Sequence, residues 1–351
     1  MEVARLRPCN YKTTLPSRLC VPPSLTRAGV KRIEEIILEY ILLKNSDLTV
    51  SRFCMGGCPM GGYGWGNVQE AELIAAVHTA LDNGVTFFDT AETYGLGQSE
   101  LTLGKALGAH RKDVVISDKF GVHAKKGQPT FYDNSREYIF EACEGSLQRL
   151  GTDYIDLYTV HYRDGKTPLA EVADTLEELK KQGKIRYAAL SNIGAADEAE
   201  LKELKGKFVS FQDEYSLACR KNEAEMKRLS AEFDLSPLTW GSLGQGILTG
   251  KYNLQNTNFG PDDRRSREIY VNFHGEKLKK NLKIVEVMRG IAAEHQTSVA
   301  SVAVRFILDY LEGSVVLAGI KKPAQLLSNI EAFNFRLSEE ELKVLDDISK
   351  E

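Results

Sequence analysis

The sequence predicts a single α/β domain, a closed parallel (β/α)8 barrel of the TIM type, over residues 46–351, with an N-terminal extension over residues 1–45. Three observations carry this. Eight short apolar runs follow one another from Ser51 to Gly319, and amphipathic helical patterns lie between most of them, the order of strands joined by crossover helices. No long linker divides the middle of the chain, which favours one closed barrel over two domains. A motif is also missing: neither G-x-G-x-x-G nor G-x-x-x-x-G-K-[ST] occurs, whereas a doubly wound sheet, the rival architecture, normally carries a glycine-rich fingerprint after its first strand.

The elements follow in order. Residues 1 to about 30 hold prolines, threonines and scattered arginines without apolar period, and are expected to be a disordered tail. Codons for Glu34-Glu35 can resemble a bacterial ribosome-binding site, so a start at Leu38, leaving residues 1–37 outside the native protein, is a further expectation. The expected strands are SRFCMGG (51–57), VTFF (85–88), VVIS (114–117), YIDLYTV (154–160), IRYAAL (185–190), FVSF (208–211), LSPLTW (235–240) and SVVLAG (314–319). Within 68–83, Leu73, Ile74, Val77 and Leu81 share one helical face and Gly84 ends the pattern. Leu169, Val172, Leu176 and Leu179 do the same before Gly183, Met226, Leu229 and Phe233 repeat it, and Ser338 with Glu341 forms a capping box for a last helix. These stripes face a core.

Composition removes several function classes. The chain of 351 residues has a net charge of −4, which argues against nucleic acid as a main partner, because phosphate binding needs a basic face. No apolar run approaches the roughly 20 residues of a membrane helix. The apolar cluster IILEYILL (36–43) is broken by Glu39 and lacks a small-residue cleavage site, so it does not read as a secretory signal. Cys9, Cys20, Cys54, Cys58, Cys143 and Cys219 are scattered without a C-x-x-C pair, so neither a metal site nor a disulfide framework is expected, and a reducing cytoplasmic setting fits.

In such a barrel the chemistry collects where strands end. Asp89 follows VTFF, Lys119 follows VVIS and Asp118, and His161 follows YIDLYTV. Ser191-Asn192 follow IRYAAL, Gln212 follows FVSF, and Trp240 closes LSPLTW, with Tyr94 in the loop beside Asp89. Taken singly, each has an ordinary reading as a turn former, a solvated lysine or a structural histidine. Together they aim an acid, a lysine, a histidine and a phenol at one space.

GVTFFDTAETYGLGQSELTLG (84–104), with VVISDKFG, TVHYRD, ALSN, FQDEYSL and WGSLGQGILTGKY in that order, resembles the aldo-keto reductase family across residues 48–349. The resemblance implies a barrel that binds a nicotinamide cofactor without a Rossmann fold, and a tetrad at Asp89, Tyr94, Lys119 and His161. Carbonyl reduction needs a hydride on carbon and a proton on oxygen. Tyr94 would supply the proton, Lys119 would favour the phenolate and lower the phenol pKa, Asp89 would hold Lys119, and His161 would orient the substrate oxygen.

The resemblance also implies cofactor contacts. Ser191, Asn192 and Gln212 would hold the nicotinamide carboxamide, and Trp240 would lie against its ring. Gly57, at the end of the first expected strand, belongs to the same set. The loop opened by Gly241, with Leu243, Gly244 and Gly246, would meet the pyrophosphate, where glycine lets backbone approach closely. Gly319, Lys321, Gln325 and Asn329 match the segment for the adenosine end, and Lys321-Lys322 suit a 2′-phosphate, hence NADP(H). Many members have arginine where Gln325 stands, an acid where Ser328 stands, and a tyrosine-serine-proline opening where WGS stands, which leaves NAD(H) as the alternative cofactor.

Loop 58–68, with Tyr63 and Trp65, and the polar insertion 253–273, with Arg264, Arg265 and Arg267, are the expected choosers of substrate. The expected partner is a small-molecule carbonyl compound, such as a small aldehyde, sugar or keto-sugar, with no nucleic acid or membrane. A monomer and a homo-oligomer both fit. The alternatives are a sugar or polyol dehydrogenase working oxidatively, and a cofactor-sensing regulatory subunit of the same fold.

Overall fold

Period-two alternation of inward and outward side chains organises the sheet. The computed structural model describes residues 36–350, except 63, 67, 125, 126, 194 and 258. The expectations for residues 1–35 and for Tyr63 lie outside the described residues. In chain order the elements are β1 (Tyr40–Leu42), β2 (Thr49–Ser51), β3 (Phe53–Gly56), α1 (Glu70–Asp82), β4 (Phe87–Asp89), α2 (Gln98–Leu107), β5 (Val115–Phe120), β6 (Val122–His123) and β7 (Phe131–Tyr132). Then come α3 (Arg136–Leu150), β8 (Ile155–Val160), α4 (Leu169–Lys181), β9 (Ile185–Ser191), α5 (Ala195–Glu203), β10 (Ser210–Glu214), α6 (Glu223–Glu232) and β11 (Ser236–Trp240). The last are α7 (Gly275–Glu294), α8 (Val299–Tyr310), β12 (Val315–Gly319), α9 (Pro323–Ile330) and α10 (Glu339–Ser349).

Eight strands close into a parallel barrel in the order β3-β4-β5-β8-β9-β10-β11-β12, with β12 back on β3. All eight expected strands are there. Several run further than their apolar letters: β4 takes in Asp89, β5 takes in Asp118 and Lys119, β9 takes in Ser191, and β10 takes in Gln212. Parallel pairing continues through these residues, as in Asp89 opposite Ser117 and Gln212 opposite Ser191, because backbone hydrogen bonds do not depend on side-chain polarity.

The helices bury their striped faces against the outside of the barrel. On α1 the buried residues are Leu73, Ala76, Val77 and Ala80, while Ile74 and Leu81 are half-buried at the edges. Small alanines occupy the centre of the stripe. Leu169, Val172, Leu176 and Leu179 on α4 are buried as expected, as are Met226, Leu229 and Phe233 on and after α6. The Ser338–Glu341 capping box starts α10.

The domain boundary differs from the expectation. Residues 36–45 do not lie outside the folded unit, which begins at Ile36. β1 pairs antiparallel with β2, and Leu43, Leu48 and Val50 pack with Cys54, Phe87, Val115 and Leu157 to plug the barrel floor. Strands of three residues are too short to declare a period. Glu39 adds an electrostatic tie: it meets Arg52 at 2.8 Å, Arg305 at 2.9 Å and Arg336 at 2.7 Å. Arg305 is fully buried and also pairs with Asp309 at 2.6 Å.

Glu39 is half-buried and Arg305 keeps Asp309 as a second partner, so Glu39→Ala removes charged hydrogen bonds without stranding a charge. It is expected to lower the unfolding free energy by about 1.5 kcal/mol, read from denaturant midpoints. An unchanged midpoint contradicts the tie.

Candidate active site

In β4, Phe87 points into the barrel and Phe88 outward, so Asp89 points in again. The same alternation takes β5 from Val115 through Ser117 to Lys119, and β8 from Leu157 through Thr159 to His161. It takes β9 from Ala189 to Ser191 and β11 from Leu238 to Trp240. The candidate residues are thus the top interior layer of the barrel, seated on an apolar layer. Their spacing from the core residues, not their place after the strand, selects them.

The structure brings the four tetrad positions together. Lys119 Nζ lies 2.6 Å from Asp89 Oδ1, donates to the Thr90 carbonyl at 2.9 Å and reaches the Tyr94 hydroxyl at 3.4 Å. An ammonium has three protons, and each has an acceptor here. Lys119 and Asp89 are both buried. Gln212 Nε2 donates to the same Asp89 oxygen at 3.0 Å. The Tyr94 and His161 rings meet edge to face, centroids 5.8 Å apart.

Electrostatics departs from one expectation. Burial, followed by the charge of Asp89, pushes the Tyr94 phenol well above its ordinary range. The Lys119 ammonium does not lower it below that range, because desolvation of a phenolate is the larger effect. Tyr94 is therefore a neutral O–H, the form that donates a proton. Burial, and then Lys119, push the His161 imidazole well below its ordinary range, so it is neutral. His161 Nδ1 is buried without a hydrogen-bond partner among the described residues.

The other expected positions ring this centre. Asn192 Nδ2 donates to the His161 carbonyl at 2.9 Å and to Ser191 Oγ at 3.0 Å, and Ser191 Oγ donates to the Gln212 carbonyl at 2.8 Å. Their donors are spent lacing β8, β9 and β10 together. Trp240 Nε1 is buried and has no partner among the described residues. Gly57 donates its N–H to the Asp89 carbonyl at 2.6 Å, and a Cβ there would sit 2.6 Å from that oxygen.

Gly241, Gly244 and Gly246 have φ of 65°, 55° and 103°, and Leu243 packs half-buried between them. Gly319 approaches Pro59, and a Cβ would lie 2.7 Å from its ring. Gln325 Oε1 accepts from the Lys321 N–H at 2.8 Å, and Asn329 is buried on α9. Lys321 Nζ donates to the Trp65 carbonyl at 2.6 Å. Lys322 is turned aside, paired with Glu72 at 3.1 Å.

The insertion 253–273 is folded rather than loose. The Tyr270 ring meets Trp65 edge to face at 5.9 Å, Arg264 lies over the same indole at 5.9 Å, and Arg265 pairs with Asp263. Tyr162 lies one residue past the strand-end position that selects His161. It stacks on His161 at 4.9 Å and on Tyr132 at 5.1 Å, and its position beside the histidine in TVHYRD was the available signal.

The aldo/keto reductase family model matches residues 52–350. This chain belongs to the aldo/keto reductase family. It is 34% identical to Aldo-keto reductase YhdN of Bacillus subtilis, over 89% of this chain and 93% of the relative. It is 30% identical to the NADH-specific methylglyoxal reductase of Escherichia coli, over 89% and 99% of the two chains. Among solved structures, the glycerol dehydrogenase of Gluconobacter oxydans superposes with a TM-score of 0.79 at 32% identity, covering 88% of this chain and 94% of that one. An aldo-keto reductase of Klebsiella pneumoniae in complex with NADPH gives 0.69 at 26%, covering 89% and 95%.

A histidine held neutral in the fold takes up its proton only on unfolding. Its contribution to stability is complete above the unfolded pKa of about 6.5 and is lost as pH falls. The stability difference between the wild type and His161→Asn is expected to change by about 1.4 kcal/mol per pH unit below about pH 6.5, measured by urea unfolding from pH 5 to 8. A difference independent of pH contradicts a neutral His161.

Proposed function

We propose that this member of the family is an NADP(H)-dependent oxidoreductase that reduces an aldehyde or ketone to the alcohol, with Tyr94 as the proton donor. The observation that carries the reading is the buried ammonium of Lys119, whose three acceptors are Asp89, the Thr90 carbonyl and the Tyr94 hydroxyl. As Tyr94 releases its proton to the substrate oxygen, the phenolate forms beside a cation that is already in place, so no reorganisation is needed. The neutral His161 ring meets the Tyr94 ring edge to face and can donate to an oxygen gaining charge. Asp89 keeps Lys119 charged and aligned.

The residues present fit a nicotinamide dinucleotide. Trp240 presents an orphaned indole N–H, and the loop from Gly241 to Gly246 turns through positive φ at three glycines, which lets backbone approach a pyrophosphate closely. Bound there, the cofactor supplies the hydride. Lys321, Lys251 and Arg265 gather at the adenosine end closely enough that, after burial, their mutual repulsion lowers the Lys321 pKa. A 2′-phosphate relieves that repulsion, which supports NADP(H) over NAD(H). Lys322 adds the smallest repulsion of the set and is engaged with Glu72. The four described cysteines are free thiols, in keeping with a reducing cytoplasm.

A second reading, oxidation of a polyol in the reverse direction, is favoured by the 32% identity to a glycerol dehydrogenase. The same groups serve it, with Tyr94 taking the proton.

Loss of NADPH absorbance over a panel of small aldehydes and keto-sugars, and gain of it with glycerol and other polyols, tests both directions. Tyr94→Phe is expected to lower kcat by at least about a hundredfold. Equal activity in the wild type and the variant removes the assignment. Lys321→Ala is expected to raise KM for NADPH about tenfold, the loss of one charge-assisted hydrogen bond, and to leave KM for NADH unchanged. Equal effects on both cofactors contradict the 2′-phosphate site.

A further inference from the structure

The segment that carries Tyr94 is fastened to β5 beyond the end of β4. Thr90 N–H donates to the Ser117 carbonyl at 2.8 Å, and Glu92 N–H donates to the Lys119 carbonyl at 3.3 Å. These bonds prolong the β4–β5 pairing past the last strand residue. The Glu92 carboxylate then takes the fastening one step further. Its Oε1 accepts the Val122 N–H at 3.1 Å, and the Tyr138 hydroxyl on α3 acts on the same carboxylate, favouring its charged form. Gly121, at φ +101°, turns the chain between Lys119 and Val122.

One carboxylate therefore joins the Tyr94 loop, the end of β5, the β6–β7 hairpin and α3. The hairpin carries Tyr132, which stacks on Tyr162, which stacks on His161. A shift at Glu92 reaches Tyr94 directly along two residues of backbone, and reaches His161 through the stacked rings.

We propose that Glu92 is a positioning residue for Tyr94, whose ionised carboxylate clips the Tyr94 loop to the start of β6 and whose protonation slackens that clip. The proposal rests on reading Tyr94 as the proton donor. An ionised carboxylate offers only acceptors and satisfies both donors facing it. A protonated one keeps a single carbonyl oxygen for the Val122 amide, and that bond, no longer to an anion, is weaker.

The surroundings place this change in a useful range. Burial pushes the Glu92 carboxyl up to about 7, against the pull of the Val122 amide and the Tyr138 hydroxyl. Glu100 on α2 raises it and Arg149 on α3 lowers it. Arg149 is committed to Glu100, at 2.6 Å from Nε and 3.0 Å from Nη2, so it neutralises Glu92 only in part. Burial, and then Glu100, also raise the carboxyl of Asp118 on β5. Tyr158 on β8 faces the cluster, also with its phenol raised by burial.

The test uses the full chain carrying [13Cζ]tyrosine and [13Cδ]glutamate, with the Tyr94 signal assigned by Tyr94→Phe. In the wild type the Tyr94 signal is expected to move with the midpoint of the Glu92 carboxyl, near 7. In Glu92→Gln it is expected to hold still over that range. Tyr138→Phe removes a donor to the charged form and is expected to raise both midpoints together. With NADPH and a turned-over aldehyde, kcat is expected to rise through the same midpoint in the wild type, and to be flat in Glu92→Gln at a value several-fold below the wild-type plateau. A Tyr94 signal that titrates alike in the wild type and Glu92→Gln, or that ignores the midpoint shift in Tyr138→Phe, overturns the proposal. Coupled midpoints in a protein that turns over no carbonyl remove the proposed function and leave the role of Glu92 standing.

Discussion

Lys119 and Asp89 form an ion pair at 2.6 Å inside the barrel, where both are buried. Desolvating two charges costs several kcal/mol each, and attraction repays it only when the remaining hydrogen-bonding capacity is met. That condition constrains the surroundings. The Thr90 carbonyl and Tyr94 hydroxyl complete the ammonium, and Gln212 adds a donor to the carboxylate. Thr90 and Tyr94 belong to the segment that leaves β4, so satisfying the lysine also fixes the path of that segment. A structural requirement and a chemical arrangement coincide.

Charge is distributed unequally over the site. Lys119 is met by acceptors, while His161, a short distance away, meets a cation and no acceptor for Nδ1 among the described residues. Desolvation then decides the outcome: it keeps the imidazole neutral and the phenol protonated. The pocket holds one buried ion pair, whose ammonium also reaches the Tyr94 hydroxyl, and two neutral donors. That set suits an oxygen that gains negative charge during reaction.

The barrel was legible in the sequence because its apolar runs and amphipathic helices repeat with clear period. Asp89, Lys119 and His161 were legible because they follow apolar runs, in motifs that resemble those of the family. Other features have no such signature. The three-residue strands β1 and β2 show no period, and their place is set by Leu43, Leu48 and Val50 filling the barrel floor. The partner of Lys322 is Glu72, distant in sequence. The expected lowering of the Tyr94 pKa counted a charge and could not count burial. Glu92 has no sequence signature either, because nothing in AETYG announces a bond to Val122. Arg264 likewise shows its place over Trp65 only once the insertion is folded.

The central claim is that Asp89 and Lys119 act as one unit. A double-mutant cycle in urea, comparing Asp89→Asn, Lys119→Met and the pair, measures it most directly. Each single change is expected to cost about 3–5 kcal/mol by leaving its partner buried and unpaired. The double change is expected to cost at least about 2 kcal/mol less than the sum. Additive costs, equal to the sum within about 0.5 kcal/mol, would show two independent residues and contradict the account.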